Sequence, residues 1–143
     1  MGTTTFTGPI KAGNVLATSG TTVGKLANVG SVVMAQSANV QSQVAARATG
    51  VVIPANSQIT NITMLTTVAF TGATTLGVVA GGTGLTVAKA TIAIDVREVF
   101  SPLDGDLWVD VGSSDVEIYI KGANAIGTGV LTVEYIQNNN LTA

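Results

Sequence analysis

The sequence predicts an all-β fold, an antiparallel β-sandwich or jelly roll with an extended N-terminal arm. Three observations lead to this prediction. Threonine, valine and glycine are abundant, strand-sized apolar segments recur along the chain, and glycine-rich turns separate them. Short strands that recur at regular intervals in the sequence are typical of sandwiches and jelly rolls. We therefore expect an arm over residues 1–28 and one β-sandwich domain over residues 29–143.

The N-terminal part of the chain gives the weakest signals. Residues 1–28 are rich in glycine and threonine and contain little core-forming material, which indicates an arm, with an ordinary edge strand as the alternative. Residues 30–36 favour a strand. The alanines that follow would also suit a short helix, so we expect a loop or a single helical turn through Arg47.

The middle of the chain contains the longest predicted strand, residues 59–70. Residues 51–53 form a shorter strand before it, and Pro54 opens the turn between the two. Further strands are predicted over residues 74–80 and 85–94. The residues expected to share one face of the longest strand are Ile62, Met64, Thr66, Val68 and Phe70.

The C-terminal third shows the clearest alternation of apolar and polar side chains. Residues 116–121 and 130–136 alternate with period two, as half-buried strands do. Residues 107–111 alternate as well, and residues 112–115 have the composition of a turn. A hairpin is therefore predicted between residues 107–111 and 116–121.

Charge is scarce and unevenly distributed. The first 94 residues contain no aspartate or glutamate and have a charge of +4, whereas the remaining 49 contain all eight acids and have a charge of −6. Charged residues make up 10% of the chain, against about 25% in typical soluble domains. This depletion favours an assembly subunit over a threonine-rich soluble protein. We expect the acids to mark one end or one face of the sandwich, and the acid-free surface to be covered by partners.

The composition also excludes several classes of function. The chain has no histidine and no cysteine, which most side-chain catalysis and most transition-metal sites require. Acids alone can hydrolyse glycosidic bonds, but nothing in their spacing selects a pair. The few basic residues form no stripe for nucleic acid, and no apolar run is long enough to span a membrane. We predict no enzyme, no cofactor, no nucleic-acid partner and no membrane partner.

One turn concentrates the residues that could face a ligand. Asp104, Asp106 and Asp110 lie close together in the sequence, with Trp108 among them. Calcium prefers several carboxylate oxygens, but the EF-hand spacing is absent, and a solvated turn is the alternative. Trp108 and Tyr119 would suit a sugar-stacking platform, with core packing as the alternative.

Residues 51–62, which read VVIPANSQITNI, form the most distinctive stretch of the chain. Together with residues 6–13, 28–33 and 66–72, this stretch resembles small virion structural proteins of tailed bacteriophages, and in particular marine podovirus head proteins. The resemblance implies a capsid decoration, or cement, protein with a β-sandwich or jelly roll fold and no catalytic residues.

The resemblance further implies that the protein binds the outer surface of the major capsid protein shell and stabilises the head. It implies a homo-oligomer, with a trimer favoured, on the outer surface of the virion after synthesis in the host cytoplasm. A phage receptor- or carbohydrate-binding surface module, such as a fibre tip or knob, is the alternative function. The residues expected at the capsid or subunit interface are Phe6, Pro9, Ile10, Lys11, Lys25 and Arg47.

Overall fold

The computed structural model describes residues 15–19, 22–28, 33–80, 84–103 and 105–137. This part of the chain consists of antiparallel β-strands and one short helix, and the all-β prediction is confirmed. In chain order the elements are β1 (Val15–Ser19), β2 (Thr22–Asn28), β3 (Val33–Gln41), β4 (Arg47–Ile53), β5 (Ser57–Val68), β6 (Thr74–Gly77), β7 (Arg97–Val99), α1 (Gly105–Val109), β8 (Val116–Gly122) and β9 (Thr128–Gln137).

The described strands belong to three sheets. The largest has four strands in the order β3-β9-β5-β7, and the second has three in the order β4-β8-β6. β1 and β2 form a two-stranded hairpin and pair with no other described strand. The strands predicted from the alternation in residues 116–121 and 130–136 are present as β8 and β9.

Both larger sheets contribute side chains to one buried hydrophobic cluster. Alternate residues of β8 and β9 point into it, which is why their period-two pattern identified them. The buried members from the four-stranded sheet include Ile62, Met64, Leu131 and Val133, and those from the three-stranded sheet include Val51, Ile53, Leu76, Ile118 and Ile120.

β5 changes which of its side chains are buried along its length. Its register with β9 shifts between Ile59 and Asn61, and again between Thr66 and Val68. An extra residue in one strand reverses the alternation beyond it. Val68 is consequently 48% exposed, whereas Ile62 and Thr66 are buried. The prediction that Val68 shares one face with Ile62 and Thr66 is wrong.

Residues 107–111 do not form the predicted strand. Gly105–Val109 is the helix α1, and the adjacent residues Leu107 and Trp108 both pack against the core. Adjacent side chains of a regular strand point to opposite faces, whereas a helical turn can direct two neighbours to one side. The indole N–H of Trp108 also donates to the carbonyl of Leu85 at 2.9 Å, which anchors the helix.

The predicted hairpin between residues 107–111 and β8 is wrong for the same reason. β8 pairs with β4 on one side and with β6 on the other. The residues after α1 instead join the start of β5. There the Val111 N–H donates to the Ser57 carbonyl at 3.0 Å, and the Asn56 N–H donates to the Gly112 carbonyl at 2.7 Å.

Residues 85–94 do not form a continuous strand either. They contact β6 and the turn before it through single bridges, which join Thr74 to Lys89 and Phe70 to Ile92. The register changes from one bridge to the next, and a regular ladder of hydrogen bonds does not form. The segment is held by burial of its apolar side chains, among them Ile92.

The N-terminal elements differ from the expectation in two ways. The second half of the predicted arm, residues 1–28, contains the strands β1 and β2, which fold back on each other. The strand expected over residues 30–36 runs from Val33 to Gln41, and Arg47 already begins β4, with no helical turn between them. Residues 1–14 lie outside the described residues.

Candidate interaction surface

The side of the four-stranded sheet that faces away from the core is a broad surface, which we call the outer face. Directly opposite residues on neighbouring strands point to the same side of a sheet, so the strand register identifies its members. From β3 through β9 and β5 to β7, they are Val33, Ala35, Ser37, Asn39 and Gln41; Thr128, Val130, Thr132, Glu134 and Ile136; Gln58, Asn61, Thr63, Leu65 and Val68; and Arg97 and Val99.

The outer face has little charge for its size. Glu134 and Arg97 are its only charged members, and the rest are small polar or apolar residues. Two of the apolar side chains, Leu65 and Val99, are 38% and 53% exposed. Depletion of charge with apolar side chains left in contact with solvent is characteristic of the centre of protein interfaces.

The outward side of the three-stranded sheet has a different character, because β8 presents Glu117, Tyr119 and Lys121 there. The Tyr119 hydroxyl donates to Oε2 of Glu117 at 3.3 Å. The Glu117 carboxylate raises the pKa of Tyr119 above its usual value, since ionising the phenol would bring two negative charges together. Desolvation and the hydrogen bond act in the same direction. This charged side is less suited to being covered than the outer face.

The edge of β4 is closed by a side chain from β3. Nε2 of Gln36 donates to the Val52 carbonyl at 2.6 Å, and the Val52 N–H donates to Oε1 of Gln36 at 3.1 Å. Nε2 also donates to the Tyr135 hydroxyl at 3.0 Å. The Gln36 amide therefore pairs with Val52 as a neighbouring strand would, and it links the two larger sheets at their edges.

A cleft of about 740 Å³ opens between the end of β3 and the start of β4. Its lining includes the polar residues Asn39, Gln41, Thr49, Arg47 and Glu117. These groups offer both hydrogen-bond donors and acceptors. The cleft is therefore chemically suited to a polar, hydroxyl-bearing ligand.

A bulge in β4 forms one wall of the cleft. The register between β4 and β8 slips between Ala48 and Val52, and Gly50 has a φ of 79°, a conformation that glycine adopts without strain. Thr49 compensates for the interrupted ladder, because its Oγ1 donates to the Ile118 carbonyl at 2.7 Å.

Arg47 is the one predicted interface residue whose side chain the structure describes. It is exposed at the start of β4 and lines the cleft. Lys25 lies in β2, of which only the backbone is described. The other four predicted interface residues, Phe6, Pro9, Ile10 and Lys11, lie outside the described residues, and the grouping of the set stays a prediction.

Trp108 and Tyr119, considered above as a sugar platform, lie on different sides of β8. Trp108 packs against the buried cluster to which Ile118 and Ile120 belong. Tyr119 alternates with these two residues along β8 and points the opposite way. The structure does not bring the two aromatic rings together, and Trp108 has the packing role that was its alternative.

The predicted ligand-facing turn largely coincides with α1. Asp110 is exposed, and its Oδ1 accepts the Gly112 N–H at 2.9 Å as the chain leaves the helix. Asp104 lies outside the described residues, and the side chain of Asp106 is not described. Within the part of the chain whose side chains are described, no three acids come close enough to hold a metal ion.

The acids do not gather at one end of the molecule. The Asp95 N–H donates to the Thr66 carbonyl, whereas Asp110 precedes Val111, whose N–H donates to the Ser57 carbonyl. The two acceptors are nine residues apart in β5, or roughly 30 Å at the usual rise of a strand. The glutamates of β8 and β9 stand on different sheets. The prediction that the acids mark one end or one face is wrong.

The outer face was not identified from the sequence, because its members come from four strands whose pairing is long-range. The lack of charge along residues 33–41 and 57–68 is a local signal that is consistent with such a face. In the described residues, no helix has the length and hydropathy to cross a membrane.

Comparisons with protein families, with curated proteins and with solved structures found no match to this chain.

Proposed function

We propose that this chain is a capsid decoration (cement) protein of a tailed bacteriophage, which binds the outer surface of the major capsid protein shell and stabilises the head without catalysis. In this proposal the two larger sheets are the layers of a β-sandwich or jelly roll. The partners are the major capsid protein and further copies of the chain, with a trimer implied by the resemblance. The protein is made in the host cytoplasm and ends on the virion surface.

The observation that carries the proposal is the low charge of the outer face. A surface four strands wide, with Glu134 and Arg97 as its only charged members, loses little hydration free energy when a partner covers it. Apolar burial then contributes to affinity in proportion to the area removed from water. A cement protein acts by this kind of covering, in which each copy bridges neighbouring shell subunits.

The direct test is rebinding to capsids that lack the protein. We expect the purified chain to restore a stoichiometric and symmetric layer, seen by electron microscopy and by quantifying bound protein. Val99→Lys should reduce occupancy at least tenfold at limiting concentration, because it adds a charge to the covered face. Val109→Lys, at a 63% exposed valine on α1, is the matched control. Absence of rebinding, or equal rebinding by both variants, counts against the proposal.

The predicted arm is tested separately by deleting residues 1–28. β1 and β2 pair only with each other among the described strands, so the two larger sheets keep all their members. If Phe6, Pro9, Ile10, Lys11 and Lys25 contact the shell, occupancy falls in the deletion variant. Unchanged occupancy removes the arm from the proposal and leaves the outer face as the contact.

A receptor- or carbohydrate-binding surface module is the second candidate, and the polar cleft is the observation that favours it. Amide and guanidinium groups of the kind carried by Asn39 and Arg47 hydrogen-bond sugar hydroxyls. Arg47→Ala should then abolish binding on a glycan array, whereas Lys121→Ala, at an exposed base of β8, should not. Binding to no glycan by the unmodified protein removes this candidate.

A further inference from the structure

The backbone of β3 presents a row of hydrogen-bonding groups along a free edge. β3 is an end strand of its sheet and pairs only with β9. One residue beyond β3, the Ser42 N–H donates to the Gly127 carbonyl at 2.9 Å. Residues bonded to the partner alternate with residues whose groups point away. Counting back from Ser42, the residues that point to the free edge are Val33, Ala35, Ser37, Asn39 and Gln41.

The other edges of the two larger sheets are protected against strand pairing. β7 has only three residues and carries Arg97 and Glu98. β6 is bridged to Lys89. β4 bulges at Gly50 and has its Val52 backbone groups occupied by a glutamine side chain. The usual devices that keep an edge strand from pairing with another chain are charged residues, a short strand, a bulge, or coverage by another segment.

β3 has none of these devices. It runs for nine residues without charge or proline, and its register with β9 has no shift over its whole length. Among the residues that the structure describes, none bonds to the outward backbone groups of β3. A long, regular, uncharged edge of this kind is a template for another strand.

We propose that β3 pairs antiparallel with β3 of a second copy, about a two-fold axis at Ser37. In this register Ser37 faces its own equivalent, Ala35 faces Asn39, and Val33 faces Gln41. Every outward residue then meets an outward residue of the other copy. Five such pairs with two hydrogen bonds each give ten backbone bonds. The two four-stranded sheets become one sheet of eight strands.

The absence of charge along β3 favours a second copy of the chain as the partner that pairs with its free edge. A two-fold pairing places identical segments side by side, so that any charge near the axis would lie close to its like, which is destabilising. The segment VMAQSANVQ contains no charge. The residues nearest the axis on the outer face, Ala35 and Ser37, are also small and leave room for their equivalents. A contact of this type is self-complementary and closes at two copies, in place of the trimer that the resemblance implies.

Charge variants at the axis test the pairing in free protein, without capsids, so that the result is independent of the proposed function. We expect a dimer by analytical ultracentrifugation for the unmodified chain. Ser37→Lys and Ser37→Asp should each be folded monomers, with dissociation constants raised at least a hundredfold, because Ser37 is exposed and opposes itself. An equimolar mixture of the two variants should recover the dimer. Ser114→Lys, at an exposed serine in the loop before β8, should remain dimeric.

Hydrogen exchange gives the second readout. The amides of Val33, Ala35, Ser37, Asn39 and Gln41 should be protected in the dimer and should exchange freely in the folded Ser37→Lys monomer. A monomer or trimer for the unmodified chain, a dimer that both charge variants retain, or a mixture that fails to recover the dimer would each overturn the proposal. Protection of the same amides in the monomeric variant would also overturn it, since another segment of the same chain would then occupy the edge.

Discussion

Thr66 and Thr86 are both buried threonines, yet their hydroxyl groups differ in what they contact. Thr66 Oγ1 has no hydrogen-bond partner among the described residues, whereas Thr86 Oγ1 accepts the Leu76 N–H at 3.0 Å. Thr66→Val should raise the free energy of unfolding by about 1 kcal/mol, because it removes an unpaired buried hydroxyl. Thr86→Val should lower it by about 1–3 kcal/mol, because the Leu76 N–H loses its acceptor. Urea titration measures both, and changes of the same sign would contradict this account.

Tyr119 makes the stability of the folded protein depend on pH in the alkaline range. Its pKa is raised above the usual tyrosine value of about 10, chiefly by the Glu117 carboxylate. Since the folded-state pKa is the higher one, the stabilising contribution is complete below the unfolded value and is lost as pH rises through the folded value. Glu117→Gln should shift the Tyr119 titration to lower pH, followed by phenolate absorbance, with Tyr119→Phe as the blank. An unchanged midpoint would show that the carboxylate has no influence.

The Gln36 amide connects two elements, β3 and β4, that belong to different sheets. Gln36→Leu should lower the free energy of unfolding by about 1–2 kcal/mol, because the Val52 N–H and carbonyl lose their partner at a partly exposed edge. Gln41→Leu is the matched control, since Gln41 is exposed on the same strand. Thermal unfolding followed by circular dichroism compares the two. If Gln41→Leu changed the free energy of unfolding more than Gln36→Leu, the effect would come from the strand propensity of leucine and not from the lost Gln36 hydrogen bonds.

Elements whose burial follows from their own sequence were predicted well. β5, β8 and β9 alternate along their lengths, and only the bulges of β5 went unnoticed, because one extra residue leaves no local mark. Residues 107–111 suit both a short helix and a strand, so periodicity alone could not decide between them. The partners of β8 lie far away in the chain, which explains the wrong hairpin.

Predicting the candidate site requires knowledge of the strand pairing even more than predicting the strands does. Trp108 was considered as a ligand-facing residue, because the sequence does not show that its indole N–H reaches Leu85. Arg47 was predicted at the capsid or subunit interface, and the structure places it in the lining of a polar cleft. The outer face combines residues from β3, β9, β5 and β7, whose alignment depends on register.

At the scale of the whole molecule, the two ends of the chain contribute unequally to stability. Deleting residues 1–28 should leave a folded protein, since β1 and β2 pair with no other described strand. Ending the chain after Gly127 removes β9, the only strand that β3 pairs with and the main partner of β5. We expect this shorter chain to lack cooperative thermal unfolding and dispersed amide proton resonances. A folded product would show that the sheet survives without its central strand.

The central position of β9 has a consequence for the order of events during synthesis. β9 follows every other described strand in the chain, and Ser37 and Thr132, which share a hydrogen bond, are 95 residues apart. While the ribosome is still translating, β3 and β5 emerge without the strand that will separate them. Pairings of such long range are slow to form. The four-stranded sheet therefore closes only after β9 has left the exit tunnel, and until then β3 lacks the strand with which it pairs.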